Sequence, residues 1–199
     1  MTATKAHGLE PASPWVRRWS HLVKPQGTVL DVACGHGRHA YWFYERNHAV
    51  TLVDRSQTAI ESIALAQGRC EKLVADIEGG PWPFEGRQFD AVIVTNYLWR
   101  PLMPALLDCL APDGVLIYET FTEGNGTVGK PSRPEFLLRT GELLAMCRDL
   151  RVVAFEDGFQ GASYGDDKPP RFIQRIVAAN AHLEACAQPN GVAVRYPLS

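Results

Sequence analysis

VLDVACGHGRHA, residues 29–40, is the stretch that decides the fold. An apolar, β-type run carries an acid, Asp31, and gives way to a small-residue turn with Gly35 and Gly37. Polar and aromatic residues at helical spacing follow. A strand, a glycine turn and a helix bring bare backbone against a ligand, because glycine has no Cβ to block the approach and tolerates unusual φ/ψ. The helix that follows starts with unpaired N–H groups. The run reads as a nucleotide-type cofactor site.

Outward from it, the chain keeps an alternating rhythm. Strand-like runs fall at 28–33, 49–53, 71–75, 90–95 and 114–119, and the spacers leave room for helices near 38–46, 56–67 and 101–110. This rhythm implies right-handed βαβ units and a mainly parallel sheet. Upstream, Ser13 suits an N-cap with Pro14 at the first helical position, in a helix running to about Val23. Downstream, a Gly- and Pro-rich stretch (123–134) precedes a helix near 140–148. Two strands then follow, 151–156 and 171–178, joined by a loop too short for a helical crossover, so they are expected to pair as an antiparallel hairpin. The expected division is a loosely ordered arm over 1–13, one α/β domain over 14–180 and a tail over 181–199.

The chain has 199 residues, 46% hydrophobic and 21% charged, which suits one globular domain with a substantial core. A formal net charge of −2 disfavours long nucleic acids as partners. The five cysteines (34, 70, 109, 147 and 186) form no C-x-x-C pair and no zinc-ligand spacing, so no metal site is expected. Their odd number, with no signal-like amino terminus and no run long enough to span a bilayer, points to a cytoplasmic protein, a monomer or homodimer, with no membrane partner.

Gly35-x-Gly37-x-x-Ala40, with Asp54 some way downstream, also satisfies the dinucleotide fingerprint, so a NAD-dependent oxidoreductase is one alternative. Asp31 argues against it: beside this turn it would repel a pyrophosphate and would suit a cationic ligand. A second acid, Asp76, sits where a polar contact to an adenine amine would fall, and the terminal hairpin is unusual for a dinucleotide domain.

On these residues the chain resembles the class I S-adenosylmethionine-dependent methyltransferases, in particular the small tellurite-resistance-type bacterial members. The matching motifs are LDVACGHGRHA, TLVDRS, VADIE, FDAVIVTNYL and LAPDGVLIYET, in order over about residues 27–121, with the hairpin fitting the last two strands. Ala33 departs from the pattern, standing where many members carry the first of three glycines. The resemblance implies a single-domain, Rossmann-like α/β fold with a seven-stranded, mostly parallel sheet. It implies S-adenosylmethionine as cofactor and in-line methyl transfer to a small-molecule acceptor. By position, Ala33, Gly35 and Gly37 would line the methionine part, with Asp31 near its ammonium group. Asp54, followed by Arg55, would hold the ribose; Asp76 and Ile77 would read the adenine; Asn96 would border cofactor and acceptor.

The acceptor side is less defined. The loops after the fourth and fifth strands supply Tyr97, Arg100, Tyr118 and Arg133 as candidate substrate contacts, and their cations would suit an anionic acceptor. Tyr97 and Glu119 are the candidate proton acceptors, without a spacing that identifies either as a base. Cys34 reads as a packed thiol, and Trp15 and Trp19, four apart on one helix, read as core. A cofactor-binding module without transfer activity, acting as a sensor or subunit, remains an alternative.

Overall fold

In the computed structural model the described residues are 10–161, 169–181 and 195–198. The rest of the expected arm, hairpin loop and tail lies outside them. The helix α1 (Pro14–Trp19) is capped by Ser13, whose hydroxyl accepts the Trp15 N–H. Then come β1 (Thr28–Val32), α2 (Arg38–Tyr44), β2 (Ala49–Asp54), α3 (Gln57–Ser62), β3 (Cys70–Val74), β4 (Phe89–Thr95), α4 (Met103–Asp108), β5 (Leu110–Phe121), α5 (Glu142–Met146), β6 (Arg151–Gln160) and β7 (Arg171–Ala179). All seven strands form one sheet in the order β3-β2-β1-β4-β5-β7-β6. The first five are parallel, and β7 runs antiparallel between β5 and β6.

Strand alternation explains why the central strands are apolar throughout. On β1, β4 and β5 one parity (Val29, Ile93, Ile117) meets Trp15, Trp19 and Phe43 on one face. The other (Leu30, Val92, Leu116) meets Phe84, Leu106 and Leu138 on the opposite face. A parallel sheet covered on both sides needs apolar residues at both parities. Trp15 and Trp19 pack edge to face at 5.7 Å, so both serve the core.

The expected loose arm ends sooner than proposed. Ala12 and Ser13 are buried, and Ser13 is held by three contacts: its amide donates to His39 Nε2, and its hydroxyl donates to Glu119 and accepts from Trp15. The helices are shorter than their periodicity suggested, α3 spanning only Gln57–Ser62. β5 is longer, continuing to Phe121, where Thr122 bridges Leu138.

Candidate active site

At the carboxyl ends of β1 and β4 the strand order changes direction, and in α/β sheets that crevice is where ligands bind. The chain leaves β1 through Ala33, Gly35 and Gly37, all with positive φ (51°, 54° and 75°). The turn is tied down by Cys34 N–H donating to Val53 O (3.1 Å) and Gly35 N–H donating to Asp54 Oδ2 (2.8 Å). A Cβ on Gly37 would lie 2.9 Å from Ile63 Cδ1, so this glycine lets the turn pack on α3. A Cβ on Gly35 would meet nothing within 4 Å; it would point into open space.

That space divides into two cavities with Ala33 lining both. One, of about 360 Å³, is lined by Gly35, His36, Arg38, Thr95, Asn96 and Glu10. The other, of about 220 Å³, is lined by Asp54, Arg55, Asp76, Ile77, Glu78 and Tyr97. The structure thus brings Ala33, Gly35, Asp54, Arg55, Asp76, Ile77, Asn96 and Tyr97 around one cleft.

The carboxylates differ in state. Asp54 accepts the Gly35 N–H on one oxygen and the Ser56 N–H on the other, both at 2.8 Å. Asp76 accepts the Glu78 and Gly79 N–H groups on Oδ1, which hold its carboxyl below the usual range while leaving Oδ2 free. Asp31 faces the α1–α2 side of the sheet and is 2% exposed, with no partner for Oδ2 and with Oδ1 4.0 Å from His39 Nδ1. Burial raises its pKa to about 7, against the opposing pull of Arg38 and the Ala40 N–H. His39 Nε2 accepts the Ser13 N–H, so the imidazole carries its proton on Nδ1, toward Asp31. The Cys34 thiol is pushed up by burial and by Asp31, which suits a packed thiol rather than a nucleophile.

Four expected acceptor or catalytic residues are held elsewhere. Glu119 is buried, with Oε1 accepting from Ser13 Oγ (2.8 Å) and Oε2 from Arg175 (3.1 Å); a carboxylate so engaged is not a free proton acceptor. Arg100 is spent on Glu142 (2.6 and 2.9 Å) and on the carbonyls of Glu135 and Leu137. Tyr118 is buried and donates to Tyr97 O (2.9 Å), and Arg133 pairs with Glu135 on the surface. Tyr97 does line the cleft, but burial and the Glu78 charge push its phenol up, so it keeps its proton at neutral pH and is no ready base. Sequence reasoning did not single out Glu10 and Arg171. Both reach the cleft region through long-range packing, which leaves no local pattern. No group of metal-ligating side chains occurs among the described residues, and no described helix is long and apolar enough to cross a membrane.

The segment holding the glycine turn, both strand-end acids and β4 matches a family of known description. Residues 29–114 match the model of a methyltransferase domain. The motifs that carry the resemblance to class I, S-adenosylmethionine-dependent methyltransferases overlap this stretch. Among solved structures, the chain is similar to TehB from Haemophilus influenzae (TM-score 0.64, 16% identity), covering 80% of this chain and 59% of TehB. It is similar to an S-adenosylmethionine-dependent methyltransferase from Methanosarcina mazei (TM-score 0.63, 13% identity), covering 86% and 99% of the two chains. It is also similar to a TehB-like methyltransferase from Corynebacterium glutamicum (TM-score 0.59, 15% identity), covering 82% and 85%. At these identities the likeness is one of fold. No curated protein matches the chain in sequence.

The cleft's residues fit S-adenosylmethionine, the cofactor that the sequence motifs imply. The free Asp76 Oδ2 can accept from an adenine amine, and each Asp54 oxygen keeps a lone pair for a hydroxyl. The space over Gly35 admits a chain that any Cβ would narrow, while Asp31 lies buried behind the turn and lines neither cavity.

Proposed function

We propose that the protein transfers a methyl group from S-adenosylmethionine to a small, anionic acceptor. The observation that carries this reading is the pair of cavities joined at Ala33, with Asp54 and Asp76 along one and Gly35, Arg38 and Asn96 along the other. A nucleoside fits the first and a short zwitterionic chain the second, with the junction beside Asn96. Asp54 and Asp76 place negative charge along this path, which opposes a pyrophosphate.

The bound cofactor supplies a methyl carbon already activated by its sulfonium, which leaves as a neutral thioether when the acceptor's lone pair displaces it. The protein's part is then alignment and exclusion of water. Asp54 and Asp76 fix the nucleoside end. Ala33 and Gly35 allow close backbone approach, and Arg55 and Ile77 close the adenosine side. Asn96, held at φ 54° by its N–H donating to Glu119 O, borders the junction where donor and acceptor meet. Among the described residues neither Tyr97 nor Glu119 stands free as a base at this junction, which favours an acceptor whose lone pair is available without strong base assistance.

Calorimetric titration with S-adenosylmethionine, S-adenosylhomocysteine and NAD tests the reading. Saturable binding of the first two and none of NAD is expected. Tight NAD binding without response to the others would contradict it.

A further inference from the structure

Beside the turn cavity lies a third, of about 260 Å³, which shares Glu10, Arg38 and Asn96 with it and extends toward the start of β7. Its far wall is formed by Phe121, Asn125, Val128, Lys130, Pro170 and Arg171. The wall is built. Asn125, 1% exposed, donates from Nδ2 to Pro131 O (2.9 Å) and accepts the Phe172 N–H on Oδ1 (3.1 Å). Gly124 lies over Phe172, at φ 96°, where a Cβ would come within 2.9 Å of the ring. Thr122 N–H donates to Phe172 O at 3.1 Å. These contacts clamp the 122–131 segment to β7 and fix Lys130 and Arg171 on one side of the cavity.

Among the described residues the charges there are uncompensated. Arg171 donates from Nε and Nη2 to Gln160 Oε1 (3.0 and 2.8 Å), a neutral partner, and no described acid pairs with Lys130 or Arg171. Glu10 is the lone acid among the described lining residues, and it is bound to Arg38 at 3.2 Å, at the cofactor end. The far end therefore presents a guanidinium and an ammonium, while Phe121, Val128 and Pro170 supply an apolar surface between them and Asn96. A guanidinium and an ammonium on a fixed wall match a carboxylate.

We propose that this cavity seats the methyl acceptor, and that the acceptor is a small organic carboxylate with an apolar body. Lys130 and Arg171 receive its carboxylate, and the opposite end of the molecule reaches the junction at Asn96. The methylated atom is therefore remote from the carboxylate, which acts as the handle and remains ionised through the transfer. Asn125 is a positioning residue that sets the wall carrying Lys130. The inference rests on the cofactor reading above.

Its test uses the complex of the whole protein with S-adenosylhomocysteine. Benzoate, hydrocinnamate and indole-3-acetate, each paired with its primary amide, are titrated by ligand-observed NMR. The acids are expected to bind about tenfold or more tightly than their amides. Arg171→Gln and Lys130→Gln should each erase most of that preference, while S-adenosylhomocysteine still saturates the variants and so reports an intact fold. Amides binding as well as acids, the preference surviving both substitutions, or no acid binding a protein that holds S-adenosylhomocysteine would overturn the proposal. Failure of S-adenosylhomocysteine to bind the native protein would instead overturn the cofactor reading, and this inference with it.

Discussion

Asp54 Oδ2 accepts the Gly35 N–H at 2.8 Å, so one carboxylate joins the end of β2 to the turn that follows β1. Its other oxygen accepts Ser56 N–H, whose own hydroxyl caps α3. Asp54 thus shapes the turn as well as facing the adenosine cavity. Asp54→Ala should weaken S-adenosylhomocysteine binding about 100-fold, the size expected for losing two charge-assisted hydrogen bonds. Asp54→Asn, which keeps one acceptor, should fall between. Calorimetry on the three proteins checks the order, and equal affinities would remove Asp54 from the site.

Asp31 should make stability, and through the cofactor's charge its affinity, depend on pH. Its pKa of about 7 in the fold, against 3.8 ordinarily, is caused first by burial. The folded state therefore holds a proton that the unfolded chain has lost. The resulting stability is fully present below the unfolded value and is lost as pH rises through about 7. A cationic ligand favours the ionised carboxylate and reverses that loss. The rise in Tm produced by S-adenosylmethionine should be larger at about pH 8 than at about pH 6, with a proton released on binding. In Asp31→Asn the pH dependence should flatten.

The two glycines of the turn should fail differently when replaced. Gly37→Ala meets Ile63 at 2.9 Å and keeps a φ of 75°, so it should lower stability by about 2 kcal/mol. Gly35→Ala meets open space at φ 54° and should cost about 1 kcal/mol of strain. Its loss of cofactor affinity should exceed its loss of stability, because the new methyl projects into the cleft. Thermal unfolding set beside titration separates the two effects.

Arg100 should matter for stability and not for binding. Its guanidinium bridges Glu142 and two backbone carbonyls, a geometry that an ammonium cannot reproduce. Burial works against ionisation of Glu142, but the Arg100 hydrogen bonds outweigh it and hold the carboxyl below its ordinary value. The pair's contribution is therefore present above that ordinary value and is lost as pH falls through the lowered one. Arg100→Lys should lower stability by about 1–2 kcal/mol, with S-adenosylhomocysteine affinity unchanged. Denaturant unfolding at neutral and acid pH reads both.

The sheet was legible because its central strands are buried on both faces and so are apolar at both parities, as in Val29-Leu30 and Val92-Ile93-Val94. The turn and the strand-end acids were legible because one short segment carries each. The Ser13 cap and Pro14 read correctly for the same local reason. What the residues concealed was long-range. Arg100 and Glu142 are far apart in sequence, as are Glu119 and Arg175, and an exposed-looking charge gives no sign of a partner that only folding supplies. Glu10 and Arg171 enter the cleft region for the opposite reason: each is carried there by an element anchored elsewhere, at Ser13 and along β7.

The proposed function requires one cofactor lying across the ends of β1, β2 and β4, its nucleoside on Asp54 and Asp76. The most direct measurement is a crystal structure of the protein with S-adenosylhomocysteine. The account predicts ribose hydroxyls on the Asp54 carboxylate, the adenine amine on Asp76, the amino-acid end over Gly35 and the sulfur facing Asn96. A ligand bound elsewhere, or one lying with its adenine over Gly35, would contradict it.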